Sequence, residues 1–202
     1  MFEKKVAIDF LTEKPSLLKI QGLSEKSIKE HLRLYQAYVN KYNEIMEKLE
    51  SLSDDDAKSG NATFSQIREL KVELTFALGG TKNHEIYFGN LGGVGGKPKG
   101  KLLKQIEKDF GSFERWEAEF KGTALSARGW AWLVWDRDLK RLLNIIGDSQ
   151  NTFSVWNAVP VLALDMYEHA YWFDFQTNRV GYVEVFFQNL DWNDVKKRFD
   201  KL

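Results

Sequence analysis

The chain has 202 residues, 43% of them hydrophobic and 14% aromatic, enough for one large core or two smaller ones sharing an interface. Its 29 Lys and Arg balance 29 Asp and Glu, so no global charge supports a nucleic-acid or membrane-surface partner, and an anionic substrate needs local steering. Cysteine is absent, which excludes disulfides, thiolate ligands and cysteine nucleophiles, and the charged start MFEKKVAIDF precedes no apolar run long enough for a leader or a membrane span, so a cytoplasmic protein is expected.

Residues 1–22 lack clean periodicity and read as an extended arm. Ser24 is a good N-cap for a long helix on which Ile28, His31, Leu32, Tyr35, Tyr38, Val39, Tyr42, Ile45, Met46 and Leu49 recur at spacings of three and four. The acidic, turn-rich SLSDDDAKSGNA separates it from a second helix at about 63–78, which the spacing predicts to be interrupted at Gly79-Gly80 before resuming with Asn83 to Phe88. Two long helices joined by a polar loop form an antiparallel hairpin.

The stretch GNLGGVGGKPKG, with six glycines and a proline, marks a domain boundary, giving units 1–90 and 91–202. Helices follow at about 101–110 and 113–127, then strands at 129–135, 141–146 and 159–164 with a turn at Asp136 to Asp138, and finally helical segments holding Val183 to Phe187 and Trp192 to Phe199. The fold class is α+β: an N-terminal long antiparallel helical hairpin and a C-terminal α/β domain with a three-stranded antiparallel sheet.

The densest chemistry lies in LALDMYEHAYW, residues 162–172, where an apolar run ends in Asp165 and His169 follows four residues later. With His31 and His84, the other two histidines, these make a complete set of three imidazoles and one carboxylate. Such mixed nitrogen and oxygen donors suit iron, manganese or zinc better than calcium or magnesium.

Four blocks in order resemble the iron/manganese superoxide dismutases, from about Leu23 to the C-terminus. LSEKSIKEH is similar to the family's first ligand-bearing helix, GGTKNHEIYF to GGHxNHxxFW, GWAWLV to its core tryptophan motif, and DMYEHAYW to DxWEHAYY, with NRVGY where the family has NxRPxY. The resemblance implies a superoxide dismutase whose metal is held by His31, His84, Asp165 and His169, cycling between 3+ and 2+ states to turn superoxide into O2 and H2O2. It implies one manganese ion per subunit, with iron as the alternative, because the glutamine that tunes the site comes from Gln150 while position 80, its source in typical iron forms, is glycine. Tyr38 matches the tyrosine of the proton network, Trp130 a ring packed beside the metal, and Arg179 a charge near Tyr38 that attracts substrate. Glu168 matches a glutamate that reaches the other subunit of a homodimer, with Trp172 at the same interface.

Three departures qualify the likeness. His31 and Tyr38 are seven residues apart where the family commonly has eight, and seven steps of 100° return close to the starting face, so a regular helix without a π-bulge is predicted. A histidine that the family places four residues before the tyrosine is Leu34, and its usual tyrosine partner across the dimer is Trp172. Thr81 replaces a histidine and Val180 a proline. The lost polar bridge leaves two rival readings: a non-catalytic relative of the same fold, and a metal-dependent hydrolase, against which the lack of a separate general base counts.

Overall fold

A computed structural model describes residues 2–152 and 154–202. Helix α1 is a single turn, Phe10–Glu13, followed by a 3-10 turn at Pro15–Lys19, so the expected extended arm is extended only up to Asp9. Local hydrogen bonding explains the difference: Asp9 accepts from the Thr12 amide and hydroxyl, and proline opens the 3-10 turn.

Helix α2, Glu25–Glu50, starts where Ser24 Oγ accepts from the Ser27 amide. It is α-helical throughout, with no π turn between His31 and Tyr38. After the short α3, Asp54–Lys58, comes α4, Gln66–Asn90, capped by Ser65. The expected interruption at Gly79-Gly80 does not occur, and α4 runs through both glycines. Each glycine costs about 1 kcal/mol of helix propensity, but both stand where a side chain would collide. A Cβ at Gly79 would lie 2.2 Å from the Gln150 carbonyl oxygen, and one at Gly80 would lie 2.7–2.9 Å from the Tyr38 ring. The glycines are there for close approach, and tertiary packing keeps them helical.

Ile45 on α2 packs with Leu70 and Ala77 of α4, while His31 meets His84. The two helices therefore run antiparallel. Helices α5, Lys101–Phe110, and α6, Phe113–Ser126, lead into a sheet of β1, Trp130–Asp136, β2, Arg141–Gly147, and β3, Ala158–Asp165. The strand order is β2-β1-β3 with both pairings antiparallel, and a register shift at Leu133/Val134 accommodates Pro160 in β3. Helices α7, Glu168–Phe175, α8, Arg179–Gln188, and α9, Trp192–Phe199, complete the chain.

One hydrophobic cluster spans the hairpin and the sheet, built on fully buried rings such as Tyr87, Phe88, Trp116, Trp130, Tyr182 and Phe186. Buried Asn90 at the end of α4 accepts from the Ala163 amide of β3 at 2.9 Å, tying helix to strand. The register sets Trp130 opposite both Gly147 and Asp165, so the start of β1 and the ends of β2 and β3 meet at one end of the sheet. That end faces the hairpin.

Candidate metal centre

Four side chains from four elements converge at this junction. His31 projects from α2, His84 from α4, Asp165 ends β3, and His169 lies in the first turn of α7. The Nε2 atoms of His31, His84 and His169 stand 3.2, 3.5 and 3.1 Å from Asp165 Oδ2. All four donor atoms lie within 4.8 Å of one another. Ligands at roughly 2.0–2.2 Å from a shared ion stand roughly 3–4 Å apart, the scale of these spacings.

The second-sphere bonds fix the donors. His84 Nδ1 donates to the Gly80 carbonyl at 2.6 Å, which leaves Nε2 as a lone-pair acceptor facing the cluster. That Nε2 is buried without a hydrogen-bond partner, an arrangement that costs free energy unless a cation takes the lone pair. Asp165 Oδ1 accepts from the Tyr167 amide at 2.9 Å, turning Oδ2 toward the three imidazoles. Its backbone carbonyl accepts from Tyr182 Oη at 2.8 Å, and Tyr182 in turn meets Tyr87 Oη at 3.0 Å.

Electrostatics agree with a cation site. Burial drives His84 down to about 3, assisted by neighbouring His31. Burial also lowers His31, against the opposing pull of Asp165. Burial by itself would raise Asp165, but the adjacent His169 and His31 outweigh it and hold the carboxyl below its ordinary range. Two imidazoles are thus kept neutral beside an ionised carboxylate, the protonation state in which all can ligate. The donors fit a borderline first-row metal.

Around the donors the other expected residues take defined places. Trp130 stands edge-on to His84 with ring centroids 5.2 Å apart, and its Nε1 donates to Gln150 Oε1 at 3.0 Å. Gln150 Nε2 donates to Tyr38 Oη at 3.2 Å, and the Tyr38 ring lies 5.4 Å from that of His84. A relay Trp130, Gln150, Tyr38 therefore runs beside the cluster. Burial raises the Tyr38 hydroxyl above its ordinary value, so it keeps its proton across neutral pH.

Arg179 is half-buried and donates to the Ala127 carbonyl at 2.6 Å, closing the C-terminal end of α6, with its guanidinium 6.0 Å from the Tyr171 ring centroid. Leu34 is half-buried, whereas Trp172 is 49% exposed. Glu168, expected to reach a second subunit, is exposed on the single chain in the first turn of α7.

Two residues with evident site roles escaped the sequence reading. The Tyr167 ring stacks on His169 at 5.3 Å and 17°, and burial together with Tyr38 pushes its hydroxyl up to about 12. Its position two residues from each of two donors was the available signal. Buried Asn83 donates to the Gln150 carbonyl at 3.1 Å, anchoring the loop that carries the relay amide. Nothing local in the sequence links positions 67 residues apart.

Comparison with known proteins gives matches over both halves. Residues 23–92 match the model of the α-hairpin domain of iron/manganese superoxide dismutases, and residues 98–198 the model of their C-terminal domain. A superoxide dismutase named as an iron enzyme from Aquifex aeolicus is 40% identical over 184 residues, covering 90% of this chain and 86% of the relative. One from Methanothermobacter thermautotrophicus, also named for iron, is 37% identical over 177 residues, covering 85% and 83%. One from Halobacterium salinarum named for manganese is 34% identical over 170 residues, covering 83% and 81%.

Proposed function

Because the chain belongs to the iron/manganese superoxide dismutase family, we propose that it disproportionates superoxide: two superoxide ions and two protons give O2 and H2O2. The observation that carries this reading is the convergence of three imidazole Nε2 atoms on Asp165 Oδ2 next to a Gln150 amide already bonded to Tyr38. Manganese or iron held by His31, His84, Asp165 and His169 would supply the one-electron chemistry, and we take one ion per subunit.

The chain's own residues supply the remainder. Asp165 provides the negative charge, and the neutral imidazoles the nitrogen donors. Trp130 and Phe88 pack apolar surface against His84 and restrict water. Gln150 presents its Nε2 between Tyr38 and the cluster, where its second hydrogen can reach a solvent molecule, and Tyr38 holds a proton at the edge of that network. Arg179, half-buried against the Ala127 carbonyl and the Tyr171 ring, is the charge we assign to attracting the anionic substrate locally.

Gly80 and Gln150 together support manganese as the working metal. A side chain at position 80 would overlap Tyr38, so the amide approaches from the sheet side alone. We take the protein as a homodimer paired through α7, a reading supported by the exposure of Glu168, Trp172 and Phe173 on the helix that carries His169. No described helix is long and apolar enough to cross a membrane, and a cytoplasmic location is part of this proposal. The deciding experiment measures metal content and superoxide consumption after expression with manganese and, separately, with iron. Activity with at least one metal is expected, and inactivity of both fully loaded forms would overturn the proposal in favour of a non-catalytic relative.

A further inference from the structure

With His31, His84, Asp165 and His169 read as the metal ligands, we propose that Tyr35 and Glu85 are positioning residues for His31 and His84. Residues 2–9 form a latch over them, and the opening of that latch sets the rate at which the metal leaves.

Residues 2–9 lie outside any helix or strand and run along α2 in the opposite direction. The Phe2 amide donates to Glu50 Oε1 at 2.5 Å, and Lys4 pairs with Glu47. The Asn43 side chain holds Lys5 at two points, accepting from its amide at 2.9 Å and donating to its carbonyl at 2.8 Å. The Ile8 amide then donates to Tyr35 Oη at 2.9 Å. From Phe2 to Ile8 an extended chain covers about 20 Å, and from Glu50 to Tyr35 a helix rises about 22 Å. The arm is matched in length to the stretch of α2 that it follows.

At its inner end the arm joins the two ligand-bearing helices. Tyr35 Oη donates to Glu85 Oε1 at 3.0 Å, and Lys5 Nζ lies 2.9 Å from the same oxygen. Tyr35 stands one turn beyond His31 on α2, and Glu85 is next to His84 on α4. The buried Tyr35 ring stacks on that of His84, with centroids 6.4 Å apart and planes 26° apart, and Phe10 packs edge-on to it at 5.9 Å. One hydroxyl thus links an amide of the arm to a carboxylate of α4 across the two ligand turns. While that link holds, His31 and His84 keep their spacing.

The arm itself is lightly held. None of residues 2–9 is buried, and Val6 is 83% exposed. A groove of about 380 Å3 lies between the arm and α2, bordered by Ala7, Ile8, Leu32, Arg33 and Gln36. The exposed Lys4–Glu47 pair adds little. A segment with so few buried contacts opens without global unfolding. Its departure takes Lys5 from Glu85 and the Ile8 amide from Tyr35. The half-buried Glu85 carboxylate then turns toward water, and the tie between the two ligand turns is lost.

The test follows release of the ion from manganese-loaded or iron-loaded protein into excess chelator. Tyr35→Phe keeps the ring and removes the hydroxyl, and Lys5→Met removes the charge that holds Glu85. Both are expected to release the ion faster, Tyr35→Phe by about tenfold, the worth of one or two hydrogen bonds. The converse comes from a lock. The chain has no cysteine, so a reducible bis-maleimide can join Lys4→Cys to Glu47→Cys across an exposed ion pair. Release from the bridged protein should slow several-fold and return on reduction to the rate of the unbridged variant, a reversal that a merely structural role would not produce. Ile106→Ala, a core variant in α5, should lower stability and leave the release rate unchanged. An unchanged rate in Tyr35→Phe or in the bridged protein, or a tenfold acceleration in Ile106→Ala, would overturn the proposal. A wild-type protein that takes up neither metal would overturn the reading of the four donors, and the latch with it.

Discussion

Gln150 links three residues beside the cluster: its amide joins Trp130 to Tyr38, while Asn83 holds its backbone. Gln150→Leu keeps the volume but strands the buried Trp130 Nε1, which costs about 1–3 kcal/mol. Superoxide consumption should fall by about 10–100-fold with the metal still bound, as expected when an outer-sphere partner is lost. Chemical denaturation and metal analysis of the same preparation would check both halves of this expectation. The four donors were legible in the sequence through the resemblance of four ordered motif blocks to one family, and the fold brings those four side chains together. Asn83 was not, since it bonds a carbonyl 67 residues away that only the fold brings near, and Tyr167 offered only its place two residues from each of two donors.

At the scale of elements, the double glycine of α4 is where local propensity and tertiary structure disagree. Read alone, Gly79-Gly80 breaks a helix. Within the fold, it is the surface against which Tyr38 and the Gln150 loop press. Gly80→Ala would gain about 1 kcal/mol of helix propensity but drive a methyl against the root of the Tyr38 ring, an overpacking that costs about 1–3 kcal/mol. The clash wins, because those ring atoms cannot swing clear without moving α2. We expect a lower denaturation midpoint and weaker activity, and an unchanged midpoint would show that the two helices stand further apart than described. The seven-residue step from His31 to Tyr38 was readable from 100° per residue alone, and α2 follows it. The strands were equally readable to within a residue or two at each end. The helical turns at Phe10–Glu13 and Pro15–Lys19 were not, being too short to show a period.

For the whole molecule, stability and metal occupancy are linked through protons. His84 is depressed to about 3 by burial, and an exposed imidazole in the unfolded chain titrates near its ordinary value of 6.5. Between those values the unfolded chain binds a proton that the folded chain refuses. Stability of the metal-free protein should therefore be level above about pH 7 and fall as pH drops below 6.5. The slope approaches about 1.4 kcal/mol per pH unit for each such proton, and His31, lowered in the same direction, adds to it. Urea titrations of metal-free protein from pH 8 to pH 5 would reveal the trend, and a flat profile would mean that the imidazoles are hydrated. In the proposed homodimer, assembly would enter through Glu168, which is exposed on the single chain and adjacent to His169. Glu168→Ala is expected to lose dimer, metal and activity together, read by light scattering and metal analysis, and a fully metallated dimeric variant would remove the residue from the interface.

The centre takes donors from residue 31 and from residue 169, and this separation has a consequence for biogenesis. A ribosome extending the chain at about 5–20 residues per second needs roughly 7–28 s to pass from one donor to the other. During that interval the nascent hairpin can show a passing ion at most two imidazoles, one until His84 is made, a poor trap for any metal. The full set forms only when the sheet closes on the hairpin. Metal choice therefore belongs to the finished chain and to the ions around it at that moment, not to the order of synthesis.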